Sequence, residues 1–216
     1  MAPTSTKPQF LRSLPSTSSL KPTKDKPRVY IVLYPRSASS TNSSFRNVLS
    51  CDSYHWSIVV GPQTARRADK GIRYHVAHLN HDTHRHFYEE QDIPSNPIAQ
   101  SGLVRVAVCK VTDEERLHSI LRELPIPGED SAFNCLTWVR EAFCKLHEDG
   151  KSVKSYLSAD DWQAVEACAR KYCKRKRDAG RFQEGNGLAN NNGGNAAWSA
   201  EKISTFNFWE NRETTP

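Results

Sequence analysis

The stretch His55-Trp56-Ser57-Ile58-Val59-Val60 is a run of aromatic and β-branched residues that Gly61-Pro62 ends, and it therefore predicts a β-strand. Similar patterns cover residues 29–34, 72–79, 86–90 and 103–108. A charged connection joins residues 55–60 to the pattern at 72–79, and we expect these two strands to form a hairpin. Together the short runs predict a small antiparallel sheet.

Apolar residues at helical spacing dominate the part of the chain that follows the strands. One pattern begins at Thr112, whose hydroxyl can cap a helix, and ends before Pro125. The next begins near residue 134 or 135 and is closed by Gly150, and Ser158 caps a third helix with a basic end. Strands first and helices later predict an α+β domain, in which the sheet packs against about three helices.

The composition favours one domain flanked by tails. Of the 216 residues 37% are hydrophobic, and the mean hydropathy of −0.68 is low for a compact protein. Ser, Thr, Pro and Lys dominate the N-terminus, and Asn and Gly dominate residues 185–195. We therefore predict a disordered basic tail at 1–27, the domain at 28–180 and a low-complexity C-terminal tail at 181–216. A mitochondrial or plastid presequence is the alternative for the N-terminus, although its prolines weaken an amphipathic helix.

The net charge of +6 could indicate an anionic partner, but much of it lies near the termini and in Lys174-Arg175-Lys176-Arg177. That block is typical of the polar end of a helix; a nuclear localisation patch and a weak nucleic-acid or protein contact are the alternatives. No apolar run reaches the ~18–20 residues that cross a bilayer, so we expect a soluble protein of the cytoplasm or nucleus. The cysteines form no CxxC pair, and no cofactor is expected.

Cys135 lies at a predicted junction between a loop and a helix. The positive end of the helix dipole and the unpaired N–H groups of a first turn stabilise a thiolate there, and the same donors can hold an oxyanion. The alternative is a small buried apolar residue, which is how most cysteines behave. Cys109, Cys144 and Cys168 end a strand or lie inside helices, so we expect them to be structural.

His55 opens a strand whose alternate residues, Trp56 and Ile58 among them, are expected to face the core, which directs His55 and Ser57 to the other face. A base at a strand end beside a helix N-terminus, with a third polar residue orienting the imidazole, is the papain-type arrangement. The alternative is a half-exposed strand histidine without a catalytic role.

The segments Tyr54-His55-Trp56-Ser57-Ile58-Val59-Val60-Gly61 and Asn134-Cys135-Leu136-Thr137-Trp138-Val139, with a histidine on the strand after the first, resemble the lecithin retinol acyltransferase-like branch of the permuted papain-like superfamily. The resemblance covers about Val29 to Leu146, mostly through these two motifs. It implies a papain-like fold with the order His, His, Cys. The chain departs from the family in its long loops around the first motif and in the absence of a following membrane helix, so the substrate does not transfer. The chain also resembles uncharacterised fungal proteins that carry a similar Tyr-His-Val stretch.

Two residues compete for the third position of the site. His75 shares a strand face with Arg73 and Ala77, whereas His78 copies the local motif better but falls on the opposite face. We favour His75. A transition-metal site is a rival interpretation of the histidine-rich segment, but its spacing points the rings in divergent directions. That segment contains His75, His78, His81, His84 and His86.

These observations favour a cysteine-nucleophile hydrolase or acyltransferase that acts on an amide, ester or thioester of an acyl or peptide-like substrate. Cys135 would attack the carbonyl, His55 would move the proton, and His75 would orient His55. The alternative is a catalytically inactive papain-like fold that binds a protein or a nucleic acid.

Overall fold

Eight strands of one mixed sheet and three α-helices make up the part of the chain that the computed structural model describes, which is residues 26–35, 54–63, 70–78, 85–94, 102–127, 132–182 and 202–216. The strands are β1 (Arg28–Pro35), β2 (Tyr54–Gly61), β3 (Lys70–His78), β4 (His86–Pro94), β5 (Val104–Val111), β6 (Val153–Lys154), β7 (Ser204–Asn207) and β8 (Arg212–Thr215). The helices are α1 (Glu114–Arg122), α2 (Cys135–Asp149) and α3 (Trp162–Asp178). The α+β class predicted from the sequence is confirmed.

The strands follow the order β4-β3-β2-β1-β5-β7-β8, with β6 paired to β5. The predicted hairpin is confirmed, because β2 and β3 pair antiparallel, with Ile58 opposite Tyr74 and Val60 opposite Ile72. The prediction of a small, purely antiparallel sheet is wrong, since β7 runs parallel to β5. The apolar β1 lies in the middle of the sheet, between β2 and β5.

Local side-chain caps set where the helices begin. Asn134 caps α2, for which the sequence predicted a start near residue 134 or 135. Gly150 ends the helix, as the sequence predicted, with a left-handed φ of 62° that glycine adopts without strain. The predicted cap of α1 is wrong by one residue, because Asp113 accepts the first-turn N–H while the Thr112 hydroxyl bonds to the backbone carbonyl of Lys151. Ser158 caps a short 3₁₀ turn that leads directly into α3.

The C-terminal residues belong to the domain, which corrects the predicted boundary at residue 180. Residues 202–216 contribute β7 and β8, and Phe206 packs on the core with its ring centroid 5.4 Å from that of Tyr172. The Asn- and Gly-rich segment at 185–195 and nearly all of the predicted N-terminal tail at 1–27 lie outside the described residues. Within the described ranges, no helix is long and apolar enough to cross a membrane.

The sheet is buried on both faces. The larger cluster packs between the sheet and the helices and includes Trp56, Ile58 and Val60. The second cluster lies on the opposite face and consists of Tyr30, Val32, Tyr34, Val59, Ile93 and Ile203. Because side chains alternate along a strand, His55 and Ser57 share this second face with Val59, as the sequence predicted.

Candidate functional site

The Cys135 sulfur lies against the first residues of β2. The backbone N–H of Trp56 donates to Sγ at 3.5 Å, and Sγ lies 3.9 Å from the carbonyl oxygen of Tyr54. These two backbone groups flank His55 in the chain. Cys135 is 7% exposed, so the fold brings a nearly buried thiol to the backbone of the strand that carries the candidate base.

The position of the sulfur follows from how β2 and β3 separate. Their pairing covers only Ile58–Val60 of β2. Residues two apart along a strand direct their backbone N–H and C=O groups to the same side. The backbone groups of Tyr54 and Trp56 therefore point toward the β3 side of the strand, as those of Ile58 do. The N-terminus of α2 fills this place, and the thiol meets the backbone groups that a neighbouring strand would otherwise bond.

The cap of α2 changes one part of the sequence-based interpretation. The Asn134 side-chain oxygen accepts the N–H groups of Leu136 and Thr137 at 2.9 and 3.2 Å, so these first-turn donors are already used. The N–H that reaches the sulfur comes from Trp56 instead. A thiolate at Cys135 would therefore be stabilised by the helix dipole together with a donor from the sheet.

His55 is hydrogen-bonded to His75, the residue that the sequence analysis favours for the third position. His55 Nε2 lies 2.9 Å from His75 Nδ1, and the two rings meet edge to face. His75 is 4% exposed. Burial, assisted by the positive charge of Arg73, lowers the pKa of His75 to about 4, so its ring is neutral at neutral pH and carries a single N–H.

Glu89 decides where that single proton lies. Its carboxylate oxygen is 3.0 Å from His75 Nε2, and the Arg73 guanidinium is 3.3 Å from the same nitrogen. A carboxylate facing an unprotonated nitrogen would be repelled, so we assign the proton to Nε2, from which it is donated to Glu89. His75 Nδ1 then accepts from His55 Nε2–H, which places the lone pair of His55 on Nδ1, the ring nitrogen nearer its own backbone.

Sequence reasoning missed Glu89, and the signal that could have found it is the register of β3 and β4. Glu89 is directly opposite His75 in that pair. Its side chain is 43% exposed, so one oxygen can bond the histidine while the carboxylate stays solvated. From the sequence alone, Glu89 is one of several charged residues in a polar strand.

The backbone of His78, the other candidate for the third position, is opposite His86 at the end of β3, and its side chain lies outside the described part of the structure. His81 and His84 lie outside the described residues. In the ranges that the structure covers, no group of three side chains could hold a metal ion.

The other cysteines of the helices and of β5 have a different electrostatic setting. Burial raises the pKa of Cys109, Cys144 and Cys168, which keeps these thiols protonated and unreactive. They are accordingly suited to packing.

Two of the four basic residues at the end of α3 make contacts inside the domain. Lys176 is 5% exposed and forms an ion pair with Glu213 of β8, and the Arg177 guanidinium donates to the hydroxyl of Tyr54. Lys174 pairs with Asp178 on the surface. Because Lys176 and Arg177 point inward, the interpretation as the polar end of a helix explains them better than an exposed basic patch does.

The fold and the site together define an α+β protein in which a thiol at a helix N-terminus lies against a sheet that carries a hydrogen-bonded pair of histidines. The chain belongs to a family of unknown function, DUF6914, which matches residues 26–215 and thus includes the last two strands. No curated protein and no solved structure matches the chain.

Proposed function

We propose that the protein is a papain-like cysteine hydrolase or acyltransferase, as the sequence resemblance to the lecithin retinol acyltransferase-like branch implies. One observation carries the proposal: the Cys135 sulfur contacts the backbone on both sides of His55, whose Nε2 is bonded to a neutral His75. This arrangement leaves Nδ1 of His55 as the atom that can take the thiol proton.

The reaction follows from these positions. His55 Nδ1 accepts the proton of the Cys135 thiol, and the sulfur attacks the carbonyl carbon of an amide, ester or thioester. The tetrahedral intermediate collapses, its bond to the leaving group breaks, and the imidazolium returns the proton to that group. Water or another nucleophile then attacks the acyl-enzyme, gives its proton to His55 and releases the acyl product and the Cys135 thiol.

His75 and Glu89 act as positioning residues. Glu89 accepts from His75 Nε2–H and so fixes the tautomer of His75, and His75 in turn fixes the ring of His55. A substitution at Glu89 separates this role from a structural one. Glu89→Gln retains a carbonyl acceptor and should preserve the reactivity of the thiol, whereas Glu89→Ala should reduce it at least about tenfold.

The proposal is tested by the rate at which iodoacetamide labels each cysteine between pH 5 and pH 9, read by peptide mass spectrometry. We expect Cys135 to react at least about tenfold faster than Cys144 at neutral pH, because Cys135, unlike Cys144, lies at a helix N-terminus that stabilises a thiolate. His55→Gln should remove this advantage, and His78→Gln, at the alternative candidate for the third position, should retain it. Equal labelling of Cys135 and Cys144 in the unmodified protein would contradict the proposal.

A further inference from the structure

The sheet face that carries His55 also holds polar atoms that the fold leaves unsatisfied. The Tyr34 hydroxyl, the Ser57 hydroxyl and Nε of Arg73 are buried, and within the described part of the chain they have no partner at good hydrogen-bond geometry. Burial raises the pKa of the Tyr34 hydroxyl, and looser interactions with Ser57 and Arg73 lower it. Tyr34 and Ser57 are 4% and 0% exposed. A buried donor without a partner reduces stability, so three such groups on three adjacent strands require an explanation.

Two arginines on the same face lack a counter-charge. Arg105 is 6% exposed; its Nε donates to the Thr205 hydroxyl at 2.8 Å, and its guanidinium stacks 4.2 Å from the ring centroid of Tyr30. Arg73 donates to the side chain of Gln91 and lies 5.2 Å from the ring centroid of Tyr34. Neither arginine has a carboxylate partner among the residues that the structure describes.

The hydroxyls and the arginines converge on one region. Burial raises the pKa of Tyr34, while the charge of Arg73, looser hydrogen bonding by Ser57 and Arg73, and the charge of Arg105 oppose this rise, so all three side chains act on the same phenol. The strand registers agree with this, because Val32 is opposite Ser57 on one side and opposite Arg105 on the other.

This region adjoins the proposed catalytic pair. Tyr34 is directly opposite His55, with ring centroids 6.3 Å apart. Ser57 follows His55 on the same face, about 7 Å further along the strand. A substrate whose carbonyl is held at Cys135 could therefore extend over this face. Glu89, which is opposite His75 on the neighbouring strand, has its carboxylate bonded to that histidine.

We propose that Tyr34, Ser57, Arg73 and Arg105 form a subsite for an oxyanionic group, namely a carboxylate carried by the acyl part of the substrate. Guanidinium groups and hydroxyls are the donors that match a carboxylate, and an anion here would bond to these donors and neutralise the buried Arg105 and the half-buried Arg73. The substrate class is thus a dicarboxylic acid joined through one of its carboxyl groups as an ester, thioester or amide. The assignment of the acyl part rests on the proposed function.

Binding can be tested without catalysis by thermal unfolding with glutarate, with inorganic phosphate and with chloride at equal ionic strength. We expect glutarate to raise the Tm by at least about 2 °C relative to chloride. Ser57→Ala and Tyr34→Phe each remove a hydroxyl of the proposed subsite and should diminish the stabilisation by glutarate. The subsite proposal would be overturned if glutarate had no effect on the Tm, or the same effect in all variants. A larger rise in Tm with phosphate than with glutarate would show that the subsite binds a phosphate group and not a carboxylate.

Selectivity is tested with two aryl esters of similar length, the p-nitrophenyl monoester of glutaric acid and p-nitrophenyl valerate. The unmodified protein should favour the glutaryl ester at least about tenfold in kcat/KM, and Arg105→Gln should reduce this ratio toward one. Arg73→Gln, at a less buried position, gives the same readout if Arg105→Gln does not fold. Hydrolysis of neither ester, with glutarate binding intact, would refute the proposed function alone. Equal hydrolysis of both through Cys135, without glutarate binding, would refute the subsite alone.

Discussion

Acidification should destabilise the protein through His75. The ring is buried beside Arg73 and has a pKa of about 4 in the folded protein, against 6.5 for an ordinary histidine. As the pH falls from about 6.5 to 4, the unfolded chain therefore takes up a proton at this residue before the folded chain does. The contribution of neutral His75 to stability is fully present above pH 6.5 and is lost across this window.

The size of the effect follows from the two pKa values. Each pH unit over which only the unfolded state is protonated costs about 1.4 kcal/mol, so His75 should account for about 3 kcal/mol of lost stability between pH 7 and pH 4. Such a loss is a large fraction of the ~5–15 kcal/mol that stabilises a typical domain. Because His75 is 4% exposed, solvent screening reduces the value little.

The assay is urea unfolding followed by tryptophan fluorescence at several pH values between 4 and 7. Between pH 7 and pH 4, the free energy of unfolding of His75→Gln should fall by about 3 kcal/mol less than that of the unmodified protein, because glutamine does not titrate. His147, whose pKa burial also lowers, contributes equally to both proteins. His75→Asn should agree with His75→Gln. Parallel curves for the unmodified protein and both variants would refute the assignment of a buried neutral imidazole.

Three further predictions concern the elements that hold the site. Asn134→Ala should lower the free energy of unfolding by about 1 kcal/mol, because it removes the cap of α2, and Asn134→Ser should restore most of the loss in the same urea assay. Glu213→Ala leaves the buried ammonium of Lys176 without its partner and should cost ~3 kcal/mol, whereas Lys174→Ala at an exposed pair should cost under ~1 kcal/mol. Deletion of residues 202–216 uncovers one edge of β5 and should give a protein that unfolds at a lower temperature by circular dichroism or aggregates, whereas an unchanged Tm would contradict the docking of β7.

The sequence predicted the elements whose signal is local. Four of the five longer strands are apolar runs and the three helices have apolar periodicity, and the predicted start of α2 at residue 134 or 135 agrees with its first residue, Cys135. The choice of His75 over His78 rested on the alternation of faces along one strand, which is also a local property. The structure brings His75 to His55 because both are on the face away from the helices.

What the sequence did not reveal depends on contacts between distant segments. Glu89 becomes part of the site only through the register of β3 and β4, which no pattern within either strand specifies. The strands β7 and β8 have four residues each and follow a segment rich in Asn and Gly, so composition alone predicted a tail. The parallel pairing with β5 over Ser204–Asn207 is what orders them, and that pairing spans about half of the chain.

The unsatisfied polar groups around His55 reduce the stability of the fold but favour the binding of a charged substrate. In most cores, hydroxyls such as those of Tyr34 and Ser57 would be bonded or replaced by apolar side chains, since either change increases stability. Here they lie beside two guanidiniums without counter-ions and next to the proposed base. A fold selected only for stability has no reason to retain this combination, whereas a site that binds a charged substrate does, because binding then satisfies every one of these groups at once. The same reasoning explains why the proposed base and the anionic subsite should occur on one face of the sheet.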